Sequence, residues 1–396
     1  MGRLRIGYDT LVENPRNPSS ALQYIRLLLA ALVRAAPQHE FYAFVSPANR
    51  HLFELDAPNL HLVNCFVSNE RIPLRILVQQ LYYPLLARRL KLDVIHALSQ
   101  VPLFAPCATV VKTCGLHHRV APGEYLRPDP ATLRWAHPLR LLYRRVVWDA
   151  SARRADVVIA NSRHTARDIA EMLRVPPSRI HTVLEAVDER FGAGDTAEAR
   201  AAVQAAFGLA RPYILYVSNL WFYKNPDGAI RAFAAMRRRF GHDLDLAIAG
   251  PDDYGRIPDL TALATREGVA DRVHFLGRVG MPLLGQLYRA SRVVFYPSLA
   301  ETFGKPVVEG MRSGVPVVAA DATCLPEILD EAGLLADPRD EDAMATALHR
   351  AASDEALRAE LIARGRTRST AFTWEATALG TLAACEAAVA ARRGNR

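Results

Sequence analysis

Short runs of β-branched and aromatic residues alternate with amphipathic helical stretches along almost the whole chain. This alternation restricts the fold to parallel sheets joined by helical crossovers. In the first half the runs are RLRIGYD, EFYAFVS, LHLVN, DVIHA, ATVVKT, ADVVIAN and RIHTVLE. Helical periodicity lies between them at residues 19–36, 74–91, 131–154 and 163–173. The apolar period lapses around residues 192–200. After a short Ala-rich helix, alternation restarts with YILYVS, LDLAIAG, RVHFLG, RVVFYPS and GVPVVAAD. The expectation is α/β: two Rossmann-like doubly wound domains in tandem, 1–192 and 205–371, facing each other across a central cleft at their strand C-terminal ends. Residues 372–396, a long Ala-rich helix after FTW, either close the second domain or cross back to brace the first.

Length supports two domains, since 396 residues exceed one ordinary core. The net charge of +8 points to an anionic partner. Its arginines are spread over helices rather than gathered in a tail, and no zinc-finger spacing or RNP-like aromatic motif occurs. A phosphate-bearing ligand or an anionic membrane surface therefore fits better than nucleic acid. The cysteines Cys65, Cys107, Cys114, Cys324 and Cys385 are scattered and never form a CxxC pair, the pattern of a reducing compartment. MGRLRIGYDT begins at once with a strand pattern, and no apolar run reaches the roughly 18 residues needed to span a bilayer. These features predict a cytoplasmic protein. RIPLRILVQQLYYPLLARRLK and LRWAHPLRLLYRRVVWDASARR read either as helices with solvated arginine faces or as peripheral contacts with the inner membrane face.

The stretch ETFGKPVVEGM at residues 301–311 is the most chemically specific. It follows the strand RVVFYPS, which places Glu301 at the C-terminal edge of a sheet. Pro306 suits the first position of a helix, so Gly304 and Lys305 form the turn into it. A helix N-terminus gathers unpaired amides and the positive end of the macrodipole, and glycine lets a phosphate approach closely. Glu309 falls one turn in. Carboxylates accept hydrogen bonds from hydroxyls, so the pair suits a ligand with hydroxyls on both sides of an anionic middle, the layout of a nucleotide sugar. An isolated glutamate pair would read more simply as a loop residue and a helix-surface charge. YVSNLWFYKNPDGAI adds Lys224 just after another strand and before a helix starting near Pro226.

These residues resemble family 4 of the retaining glycosyltransferases, whose fold is GT-B. The resemblance runs from RLRIGYD to FTWEATA. It is most specific in the E-x7-E of Glu301 and Glu309, and covers YVSNLWFYKN, LAIAGPDD, VHFLGRV and LYRASRVVFYPSLAETFGKPVVEGMRSGVPVVAADATCLPEIL. It implies a metal-independent enzyme, with no cofactor. A hexose-type sugar would move from a GDP-mannose, UDP- or TDP-sugar donor to a hydroxyl of a glycan, lipid-linked or small-molecule acceptor. Glu309 would hold the ribose, Glu301 the donor sugar, and the amides of Phe303, Gly304 and Lys305 the sugar and diphosphate. Lys224 would neutralise the leaving diphosphate, and Arg278 and Val279 would lie near the base.

The chain departs from that family pattern in four places. NPRNPSS replaces a glycine-rich turn, leaving Ser19 and Ser20 to supply diphosphate contacts. Asn219 stands where an arginine is usual. Glu185-Ala186 replaces Asn-Gly, and Cys114-Gly115 replaces a His-Asp pair that places donor sugar and acceptor. His117 or His118 lies near enough to substitute, and His96 ends a strand either facing the cleft or packed. Two other readings stay open: a nucleotide-sugar epimerase or hydrolase of the same fold, and a non-catalytic nucleotide-sugar-binding scaffold. No G-x-G-x-x-G follows a strand, which disfavours a dehydrogenase.

Overall fold

The computed structural model describes residues 2–11, 20–67, 72–98, 100–113, 144–192 and 194–394; the side chains of residues 20, 72, 73, 144 and 145 are not described. Ser19, Cys114, His117 and His118 lie outside the described residues. The chain divides into two compact units.

Unit 1 is a seven-stranded, all-parallel sheet in the order β3-β2-β1-β4-β5-β6-β7. Its strands are β1 Arg5–Asp9, β2 Glu40–Val45, β3 Leu60–Asn64, β4 Val94–Leu98, β5 Ala108–Lys112, β6 Val157–Ala160 and β7 Ile180–Thr182. On one face Ile6, Val94, Val110 and Ile159 pack with Ile25, Leu28 and Leu32 of the helix Ser20–Ala35. The other face packs Phe44 and Ile95 against Tyr83 and Leu86 of the helix Tyr83–Arg89. Both faces are covered, which is why the strands read as near-continuous apolar runs.

The helix Trp374–Gly394 belongs to unit 1. Its Ala378, Leu382, Cys385 and Val389 enter the same core as the helix Ser20–Ala35. Thr377 donates to the Leu184 carbonyl at 2.9 Å, and Trp374 packs on Tyr24. The many alanines let this helix lie close to the sheet.

Unit 2 spans Val187–Phe372. Its six-stranded parallel sheet has the order β10-β9-β8-β11-β12-β13, formed by β8 Tyr213–Val217, β9 Asp245–Ala249, β10 Val273–Gly277, β11 Val293–Tyr296, β12 Val317–Ala320 and β13 Leu334–Ala336. The boundary falls at residue 187 rather than 192. Val187 donates to the Phe372 carbonyl and accepts from Arg312, while Phe191 packs edge-on against Tyr288, so 187–192 are bound into unit 2. Asp195 caps the helix Thr196–Phe207, which opens this unit's helical layer.

Among the described residues no helix is long and apolar enough to cross a membrane.

Candidate active site

In unit 2 the strand order reverses between β8 and β11, and the crevice outside their C-terminal ends is where a doubly wound sheet holds ligands. The loops leaving these two strands are tied together. Leu299 N–H donates to the Tyr223 carbonyl at 2.7 Å and Ser298 Oγ donates to the same oxygen at 3.1 Å. Asn225, with φ of 59°, caps the helix Pro226–Phe240 through Gly228 N–H and donates to the carbonyls of Pro297 and Pro338. One asparagine thus fixes the loop after β8 to the loop ends of β11 and β13.

These ties bring Lys224 and Glu301 together. Lys224 Nζ lies 2.5 Å from Glu301 Oε1, and the hydroxyl of Tyr296, the last residue of β11, donates to the same oxygen at 2.6 Å while accepting from Lys224 at 3.1 Å. Glu301 is 8% exposed. Burial alone would depress the Lys224 pKa, but the Glu301 carboxylate, with Tyr223 and Tyr296, more than offsets it and holds the ammonium well above its ordinary value. Burial and the Glu301 charge likewise push the Tyr296 phenol well above its usual range, so it remains a hydrogen-bond donor. The Glu301 N–H donates to Thr323 Oγ1 at 3.0 Å, which fixes its backbone.

The helix Lys305–Arg312 begins immediately beyond. Its N-cap is Gly304, with φ of 85°, a residue with no side chain of its own to cap the helix. A Cβ on Gly304 would lie 2.5 Å from Leu325 Cδ2, so the left-handed turn and the space both require glycine here. Lys305 takes the first helical position and Pro306 the second, one later than the sequence pattern suggests. Phe303 is buried and packs edge-on against Phe372. Glu309 accepts from the Tyr288 hydroxyl at 2.6 Å. Burial pushes the Glu309 carboxyl above the ordinary carboxylate range, against the Tyr288 hydrogen bond and the nearby Lys305 charge, while Asp188 adds to the rise.

The ends of β8, β9 and β10 lie at the same sheet edge. Gly250 sits so close to Ser218 that a Cβ would fall 1.7 Å from its carbonyl oxygen, and no side chain fits there. Asn219 Oδ1 is buried and has no hydrogen-bond partner among the described residues. Arg278 is exposed, 3.8 Å from Asp253, and Val279 is half-buried beside it. Arg256, behind the β8 loop, chelates both Asp227 oxygens and stacks 3.8 Å over Phe222.

In unit 1, Ser20 opens its helix. His96 lies within β4, 2% exposed and stacked on Tyr8, a packed position rather than a free strand end. Burial and the Lys112 charge lower its pKa to about 3. Lys112 itself is 2% exposed, bonds Glu185 Oε1 at 2.6 Å and lies 3.7 Å over the Tyr24 ring; Asn161 donates to the same carboxylate oxygen. At the end of β1, Asp9 accepts from Tyr83 at 2.7 Å and from Gln79 at 2.8 Å. Among the described residues no three His, Cys, Asp or Glu side chains gather as metal ligands.

Sequence reasoning does not reach Tyr296, Tyr288, Thr323 or Lys112. Tyr296 alone leaves a trace, a phenol ending an otherwise apolar strand that leads into Glu301. Tyr288 and Thr323 lie 21 and 22 residues from the glutamates they hold, on neighbouring elements.

Residues 200–368 match the family model described as Glycosyl transferases group 1, and residues 22–191 match Glycosyltransferase Family 4. The chain is 31% identical over 225 residues to the O-antigen chain mannosyltransferase B of Escherichia coli, covering 56% of this chain and 58% of that protein. It is 35% identical over 250 residues to the D-inositol 3-phosphate glycosyltransferase of Salinispora arenicola (strain CNS-205), covering 60% and 56%. The matches thus span a little over half the length of these curated relatives. Sucrose-phosphate synthase from Thermosynechococcus elongatus has the same fold, with a TM-score of 0.72 at 21% identity over 96% of this chain and 98% of that one.

Proposed function

We propose that this chain, whose two halves match the models Glycosyl transferases group 1 and Glycosyltransferase Family 4 and whose fold is GT-B, is a glycosyltransferase that transfers a hexose-type sugar from a nucleotide-sugar donor to a hydroxyl with retention of configuration. The observation that carries this reading is the Lys224–Glu301 pair, set at the switch point of unit 2 beside the helix start that Gly304 opens.

On this reading the donor diphosphate lies at the start of the helix Lys305–Arg312 and draws Lys224 away from Glu301. Glu301, still held by Tyr296, then accepts hydroxyl hydrogens of the donor sugar, and Glu309, braced by Tyr288, those of the ribose. The acceptor oxygen forms a bond to the anomeric carbon on the face from which the diphosphate departs. As the carbon–oxygen bond to the diphosphate breaks, the acceptor proton passes to a leaving phosphate oxygen. Lys224 and the helix start stabilise the charge that develops, the role a metal ion plays elsewhere. Asn219, Arg278 and Val279 stand on the strand ends where the nucleoside would reach.

The test is a thermal-shift screen of UDP-, GDP- and TDP-sugars, including GDP-mannose, followed by NMR of the product's anomeric configuration with and without EDTA. Retained configuration and activity in EDTA are expected. Rapid donor hydrolysis without an acceptor would favour the hydrolase reading. A chain that neither binds nor consumes any nucleotide sugar would overturn the proposal.

A further inference from the structure

The segment 72–89 of unit 1 runs as one rod through Ile72–Leu77, the π turn Val78–Tyr82 and Tyr83–Arg89. Its inner face is conventional: Tyr83, Leu86 and Ala87 are buried in the core. A helix on a protein surface should turn polar residues outward. This one turns out leucines. Leu74, Leu77, Leu81 and Leu85, spaced three, four and four residues apart, are 41%, 54%, 66% and 58% exposed, so they share one outer stripe.

The stripe continues onto the adjoining loop. Leu103 N–H donates to Gln80 Oε1 at 2.9 Å, and Gln80 donates back to the Val101 carbonyl, which pins this loop to the rod. Next in the chain, Phe104 is 82% exposed.

The charge along the rod itself has one sign. No acidic residue occurs from residue 72 to 92, whereas Arg88, Arg89 and Lys91 are exposed where the rod ends. Apolar side chains outward, an aromatic residue at the margin and cations at the end match the layered chemistry of an anionic bilayer surface. A protein partner would have to supply its own acidic rim.

We infer that this leucine stripe is a membrane-docking face, seated in the interface of an anionic lipid bilayer with Arg88, Arg89 and Lys91 against the headgroups. The inference stands independently of the transferase reading, since it uses none of the residues of unit 2.

The test is co-sedimentation of the full chain with vesicles of phosphatidylcholine alone or with a minority of phosphatidylglycerol, at low and high salt. Wild-type protein is expected to sediment with the anionic vesicles and to be released in part by salt. Leu81→Asp/Leu85→Asp should lower the bound-to-free ratio by roughly tenfold or more, and Arg88→Gln/Arg89→Gln should lower binding to anionic vesicles only. Unchanged melting temperatures and nucleotide-sugar thermal shifts would show that both variants fold and that unit 2 is unaffected. Wild-type protein that stays in the supernatant with anionic vesicles, or a leucine double variant that binds like wild type, overturns the inference. A wild-type dimer dissolved by the leucine substitutions, without vesicle binding, would also overturn it and assign the face to a second copy.

Discussion

Lys224 and Glu301, 77 positions apart, stand on the loops of two neighbouring strands with Nζ 2.5 Å from Oε1. The pair is a preformed balance of charge, and on the proposed function each member exchanges its partner for a ligand. Lys224→Ala and Glu301→Ala should each lower kcat/KM by roughly 10²- to 10³-fold, the scale for removing one group that stabilises developing charge. The double variant should lose much less than the product of the two, because the residues act as a unit. Steady-state kinetics on the best donor from the screen decide it. Near wild-type rates for both single variants would sink the site assignment.

Glu309 carries a stability cost that grows with pH. Its folded pKa is raised above the unfolded value, chiefly by burial, so between those two values the native state holds more protons than the unfolded chain. Stability therefore falls as pH rises through that window. Glu309→Gln mimics the protonated form. Its melting temperature relative to wild type should rise from acid to neutral pH, while its thermal shift with nucleotide sugar shrinks. A flat difference across that range would show that Glu309 is not desolvated.

His96 has the opposite sign. Its folded pKa, lowered to about 3, lies below the unfolded value near 6.5, so stability contributed by the neutral ring is present above pH 6.5 and lost as pH falls toward 3. One proton taken up on unfolding gives a slope of at most about 1.4 kcal/mol per pH unit. Urea unfolding of His96→Leu from pH 7 to pH 4 should show a shallower decline than wild type. Equal slopes would place the acid sensitivity elsewhere.

Lys112 and Glu185 form an ion pair almost wholly removed from water. Lys112→Met leaves a buried carboxylate without its ammonium and should cost about 3 to 5 kcal/mol, whereas Lys112→Met/Glu185→Leu should recover most of the loss. Chemical denaturation of the single and double variants is the measurement. A double variant no better than the single one would mean that the pair is not coupled.

Much of the scaffold is legible in the sequence for a physical reason: strands buried on both faces read as near-continuous apolar runs, as ADVVIAN and RVVFYPS do between helical periods. β13 is not legible, because Leu334–Ala336 is too short to show a period. The helices Glu341–Ser353 and Glu355–Ser369 are also missed, the second because its apolar residues are few and weakly patterned. At the site, the glycine and proline of ETFGKPVVEGM disclose a turn into a helix, since each is chosen by backbone geometry. The convergence on the Glu301 carboxylate is another matter. That Lys224 and Tyr296 converge on one oxygen depends on β8 lying beside β11, which spacing along the chain does not encode. Glu185 shows the same limit in unit 1: it stands out in the sequence as a departure, and only the sheet reveals that Lys112 answers its charge.

The helix Trp374–Gly394 makes unit 1 discontinuous, with Ala378, Leu382, Cys385 and Val389 completing a core begun by the helix Ser20–Ala35. On the ribosome, therefore, the amino-terminal sheet emerges first but cannot close its apolar face until the whole of unit 2 has been made. Unit 2 holds all its strands in one uninterrupted stretch and can fold while its neighbour still waits. The order of synthesis and the order of completion are thus reversed, and the apolar face of the earlier sheet stays open through the synthesis of unit 2.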